Sequence, residues 1–108
     1  MKPSKHIENV IDQIKLLALA GRVIFTAKAL YELESMDIGL DSTDVCLLLT
    51  TLEKNDFHDR ILSKITDEYL YVFIVRISNI EVYLKIMIRQ SCVIISFHEN
   101  RSKGANYE

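Results

Sequence analysis

The sequence has no tryptophan, one proline, three glycines and two cysteines. So little Pro and Gly excludes a collagen-like or low-complexity chain. With 49% hydrophobic residues over 108 positions, the composition argues against global disorder, and the chain is long enough for one compact domain with a real core but too short for two. No apolar run approaches the ~18 residues of a membrane span. LLALA at Leu16 to Ala20 follows acidic Glu8 and Asp12 and is too short for a signal-peptide core. A soluble, cytoplasmic chain with no membrane partner is expected. Cys46 and Cys92 lie in apolar runs and match no metal spacing, so they read as buried thiols in a reducing compartment, with no disulfide and no metal site.

Charge of one sign is also scarce. Lys+Arg number 13 and Asp+Glu 15, a formal net charge of −2 that over the whole chain gives no footprint for nucleic acid. The halves differ, however. Residues 1–56 hold 6 basic and 9 acidic side chains, whereas residues 57–103 hold 7 and 5, so the C-terminal half is mildly basic, with His58 and His98 in addition.

After a polar start, the apolar positions Ile7, Val10, Ile11, Ile14, Leu17 and Ala18 follow the spacing of one helical face, and Gly21 suits the left-handed cap that ends such a helix. RVIF is too short for a helix and reads as a short strand or extended link. Thr26 can cap a second helix, AKALYELES. MDIGLDS is a turn, and Asp41, Ser42 and Asp44 offer acceptors for a third helix over 43–52, apolar nearly all round and so expected to be buried. The period then changes. Glu68 to Ile77 is rich in Tyr, Val, Phe and Ile, as a strand inside a sheet requires.

A two-residue turn at Ser78 and Asn79 pairs Arg76 with Glu81, Val75 with Val82 and Phe73 with Leu84. A second at Gln90 and Ser91 pairs Arg89 with Cys92, Ile88 with Val93, Ile86 with Ile95 and Leu84 with Phe97. The expected fold is α+β, with N-terminal helices packed on one face of an antiparallel sheet. That register makes Tyr71, Phe73, Val75, Val82, Leu84, Ile86, Val93, Ile95 and Phe97 the core face. The opposite face carries Arg76, Tyr83, Lys85, Arg89, Ser96 and His98, with Tyr83 across from His98 and Lys85 across from Ser96. A single domain over 1–103 and a polar tail over 104–108 complete the reading.

Charged residues on an open sheet face are the ordinary result of alternation. Tyr, Lys and His on one rigid face are also what metal-independent RNA cleavage requires: a group to take the 2′-hydroxyl proton, one to protonate the departing 5′-oxygen, and cations for the charge that gathers on phosphorus oxygens. No carboxylate cluster, glycine-rich phosphate loop or nucleophile elbow is present to support another common enzyme class, and no small-molecule cofactor is implied.

VYLKI at Val82 to Ile86, followed after a short turn by VIISFHEN at Val93 to Asn100, resembles the C-terminal strands of the MqsR-type toxins of bacterial toxin-antitoxin systems, where a VYLKI…LIVSFKE-like pattern recurs. Upstream, IKLLALAGRVIFTAKAL resembles that family's first helix, glycine and strand leading into helix two. DIGLDSTDV resembles its LGLD turn, and DFHDR stands where it has DFYKS. The resemblance implies a fold related to RelE-type toxins, metal-independent cleavage of mRNA that arrests growth, a role in stress response and a cognate antitoxin protein as partner. Tyr83 matches a tyrosine tied to activity, and His98 stands where a lysine is usual. The lysine of FYKS falls on Asp59, a charge reversal, with Arg60 and His58 beside it to take its place. The glutamine of WQDVY falls near Leu70. The expected catalytic residues are His98, Tyr83 and Lys85, and the expected RNA-binding residues Arg60, Arg76, Arg89 and His58. The rival reading is a non-catalytic protein-interaction module that keeps the toxin fold.

Overall fold

The structure, a computed structural model, describes residues 3–100. The tail expected over 104–108 lies outside the described residues. Helix α1 spans Pro3–Leu19, β1 Val23–Phe25, α2 Ala27–Met36 and α3 Ser42–Leu49. A 3₁₀ turn at Lys54–Asp56 leads into β2 (Phe57–Leu62), β3 (Tyr69–Ile77), β4 (Ile80–Ile88) and β5 (Cys92–Glu99). The five strands form one sheet in the order β1-β5-β4-β3-β2. The expected α+β architecture is present, with two differences. The sheet is mixed, because β1 runs parallel to β5, and the segment after α3 supplies an edge strand, β2, beyond the three strands expected from the two turns.

Local chemistry accounts for the element ends. At the end of α1 the Gly21 amide bonds the Ala18 carbonyl and the Arg22 amide bonds that of Leu17, a Schellman closure that needs the positive φ of 73° at Gly21. Thr26 caps α2 by accepting from the Ala29 amide at 3.1 Å. Asp41 and Asp44 exchange side-chain and backbone bonds in a capping box at the start of α3. That helix stops at Leu49, short of the expected Leu52. Thr50 and Thr51 turn their hydroxyls back onto the Leu47 and Leu48 carbonyls. Its burial is one-sided: Val45 and Leu49 are enclosed while Leu47 faces solvent.

Ile7, Val10, Ile11, Ile14 and Ala18 of α1 and Val45 and Leu49 of α3 pack on Phe73, Val82, Leu84, Ile86, Ile94 and Phe97 of the sheet. The β3–β4 turn is as expected, with φ of 49° at Ser78 and 68° at Asn79, the twisted hairpin geometry that suits adjacent strands. The β4–β5 register holds from Val82 to Lys85 and then slips, since Ile86 faces Ile94 rather than Ile95, and Ile88 faces Cys92 rather than Val93. The bulge at Ile95 moves Cys92 and Ile94 into the core and takes Val93 and Ile95 out of it, correcting the expected core face. The parallel partner fixes this choice. The Cys92 amide donates to the Arg22 carbonyl and the Thr26 amide to that of Ile94.

Candidate functional site

Tyr83 and His98 are directly paired across β4 and β5, on the sheet face away from α1 and α3. Their rings stack with centroids 4.9 Å apart and an interplanar angle of 8°. His98 Nδ1 lies 3.0 Å from the Glu99 carbonyl. A carbonyl only accepts, so this contact puts a proton on Nδ1 and turns Nε2 away from that bond. Partial burial, followed by the negative charge of Asp59, pushes the Tyr83 phenol above its ordinary range. The hydroxyl is therefore a donor at neutral pH. Lys85, one row along β4, holds its ammonium 5.9 Å from the Tyr83 ring centroid and makes no ion pair with another described residue.

Ser96, opposite Lys85, is buried at 3% exposure. Its hydroxyl accepts from Lys28 Nζ of α2 at 3.1 Å, and the same ammonium donates to Glu32 Oε2 at 2.9 Å. Glu32 Oε1 accepts from the Phe97 amide at 2.9 Å, so α2 closes the stretch of β5 edge that the three-residue β1 leaves unpaired. Burial alone raises the Glu32 carboxyl, but the Phe97 amide and the Lys28 ammonium outweigh it and hold the group below its ordinary value. Between α2 and the sheet lies a cleft of about 340 Å³, with Tyr31, Ser35 and Met36 on one wall and Ile80, His98 and Glu99 on the other.

The four candidates for RNA contact do not gather around this pair. Arg60 faces Tyr71 in the β2–β3 register, a residue of the helix-covered face, and its guanidinium lies 4.4 Å from the Tyr69 ring centroid. His58 occupies the bulge between Phe57 and Asp59, by His6 of α1. Arg89 lies just beyond β4 and is held by Glu68 through two bonds of 2.7 and 3.1 Å. Arg76 shares the open face one row beyond Ile74, but pairs with Glu81 at 3.5 Å. The bulge instead brings Asp59 to the open face, opposite Val72, which in turn faces Lys85. Lys28 and Glu32, which sequence reasoning missed, carry one signal: a lysine four residues before a glutamate at the start of a helix.

Among the described residues no group of three or more His, Cys, Asp or Glu side chains is placed to hold a metal ion, and no helix is long and apolar enough to cross a membrane. The open face thus offers an imidazole stacked on a neutral phenol, the Lys85 ammonium beside that phenol, and the Lys28 ammonium on a buried serine.

The family described as motility quorum-sensing regulator, toxin of MqsA, matches residues 6–99. The mRNA interferase toxin MqsR of Escherichia coli (strain K12) is 32% identical over 91 residues, an overlap covering 82% of this chain and 90% of that toxin. The match runs from α1 through β5 and includes the stacked pair, and the chain belongs to the MqsR toxin family.

Proposed function

We propose that this chain is the toxin of a type II toxin-antitoxin pair, an mRNA interferase that arrests growth by cutting RNA without a metal ion and is neutralised by an antitoxin protein of the MqsA kind. The stacked Tyr83–His98 pair carries this reading: a residue able to take a proton lies against one able to give it, on a rigid two-strand platform. His98 Nε2 removes the 2′-hydroxyl proton, and the 2′-oxygen bonds to phosphorus. The phosphorus–5′-oxygen bond breaks, Tyr83 protonates the departing oxygen, and the products are a 2′,3′-cyclic phosphate and a 5′-hydroxyl. Lys85 faces the charge that gathers on the non-bridging oxygens. The compartment of mRNA is the cytoplasm, and toxin release under stress is the setting such a pair implies.

One observation favours a second reading. Asp59 puts negative charge near Tyr83, as a non-catalytic module that binds only a protein partner could tolerate. Inducible expression in a bacterium separates the two. The ribonuclease reading expects growth arrest, loss of mRNA and cleavage by the purified chain in excess EDTA. Normal growth at high expression of folded chain overturns it.

A further inference from the structure

We propose that Lys28 of α2, docked on Ser96, is a phosphate-binding residue of the same open-face site and supplies the positive charge that Asp59 withholds. This inference rests on the ribonuclease reading. It starts from where the other cations are committed: Arg60 lies over Tyr69 with its strand partner on the helix-covered face, Arg76 is paired with Glu81, and Arg89 is held by Glu68. Lys85 is then the one strand-borne cation on the open face without an ion-pair partner among the described residues. A phosphoryl group in transesterification gathers more charge than a single ammonium on an open sheet is suited to balance.

Lys28 is placed for that task. Its ammonium lies on the Ser96 hydroxyl, Ser96 faces Lys85 across the strands, and His98 follows Ser96 two residues along the same face, about 6.5–7 Å at the rise of a strand. An ammonium has three donors. Glu32 and Ser96 occupy two of them, and the side chain remains 62% exposed, so the third is available to a phosphate oxygen between Lys28 and Lys85.

Helix stability does not account for a lysine here. A cation in the first turn opposes the helix dipole, and lysine four residues before glutamate is the weaker order of that pair. Burying Ser96 under an ammonium is explained when the ammonium has work on the sheet face.

The test compares wild type with Lys28→Gln and Lys28→Arg on a transcript fragment that wild type cleaves, and measures binding to its fully 2′-O-methylated copy, which has no nucleophile. Lys28→Gln is expected to lower kcat/KM about 10- to 100-fold and to reduce the slope of log affinity against log salt by about 0.7, one phosphate contact on a single strand. Lys28→Arg is expected to restore most of both. In the wild-type chain, bound 2′-O-methyl RNA is expected to protect Lys28 from acetylation, a readout that does not depend on how any variant folds. Wild-type salt slope and kcat/KM in Lys28→Gln, or an unprotected Lys28 beneath bound RNA, overturns the assignment and leaves the ribonuclease reading intact. A wild-type chain that cleaves no RNA overturns both.

Discussion

Removing the imidazole of His98 separates what that ring does for the fold from what it does for chemistry. The ring is half-buried and lies flat against Tyr83 at 4.9 Å, with one nitrogen on the Glu99 carbonyl. An aromatic pair is worth about 0.5–1.5 kcal/mol beyond its buried area. His98→Ala is therefore expected to cost about 1 kcal/mol, and a domain of this size then melts about 4–8 °C lower. Against a total stability of about 5–15 kcal/mol, that loss leaves the chain folded at assay temperature. Cleavage behaves differently. If His98 is the base, kcat falls about 10² to 10⁴, equivalent to about 2.7–5.4 kcal/mol of barrier, well beyond the loss in stability. Tyr83→Phe keeps the stacked ring and removes only the hydroxyl, so its melting temperature is expected to stay near wild type while cleavage falls. A double-mutant cycle with His98→Ala and Tyr83→Ala, read by thermal unfolding, isolates the stacking energy. Full activity in a folded His98→Ala chain refutes the role of His98. A coupling energy of zero refutes the stacked geometry.

Three further outcomes are expected. Asp59→Asn removes negative charge near Tyr83, so the phenol should titrate closer to its ordinary range in a spectrophotometric titration, and RNA affinity at low salt should rise several-fold; no change in either would put Asp59 away from the site. Glu32 is held below its ordinary value in the folded chain, so its contribution to stability is full above about pH 4.5, the ordinary glutamate value, and is lost as pH falls through the lower folded one. The stability gap between wild type and Glu32→Gln, measured by denaturant melts, should accordingly narrow from pH 7 to pH 3; a constant gap would show that the carboxylate charge is not what anchors α2. Burial first, and Cys46 second, push the Cys92 thiol up to about 12, so Cys92 should resist a thiol reagent at pH 8 until the chain is unfolded. Rapid native labelling of Cys92 would contradict its place in the core.

The parts of this fold legible in the sequence are those set by contacts near in the chain. Ser78 and Asn79 both accept positive φ, which fixed the β3–β4 turn, and the pairing of Arg76 with Glu81 followed from it. Tyr83 and His98 came together because the register from the second turn is correct at that end of the strands, although it fails at the other. In VIIS each position is apolar or small, so alternation gives no preference between Ile94 and Ile95 for the core. Parallel pairing with β1, 69 residues earlier in the chain, decides it, and local periodicity carries no record of that contact. For a similar reason FHDRIL did not read as a strand: β2 is an exposed edge interrupted by a bulge, and its charged residues are what a protected edge favours over alternation.

That bulge also decides which side of the sheet receives the chemistry of DFHDR. One extra residue at His58 sends Asp59 to the open face and Arg60 toward Tyr69 on the other, so neighbours in sequence are separated by the sheet itself. Positive charge reaches the site from the opposite edge, through a helix that the same sheet needs for another purpose. β1 stops at Phe25, and the Phe97 amide beyond it must find an acceptor. Glu32 meets that requirement, and a carboxylate drawn against β5 draws Lys28 with it onto Ser96. Edge protection and the electrostatics of the open face are thus one network, in which a change at Glu32 is felt at the ammonium and a change at Ser96 releases it.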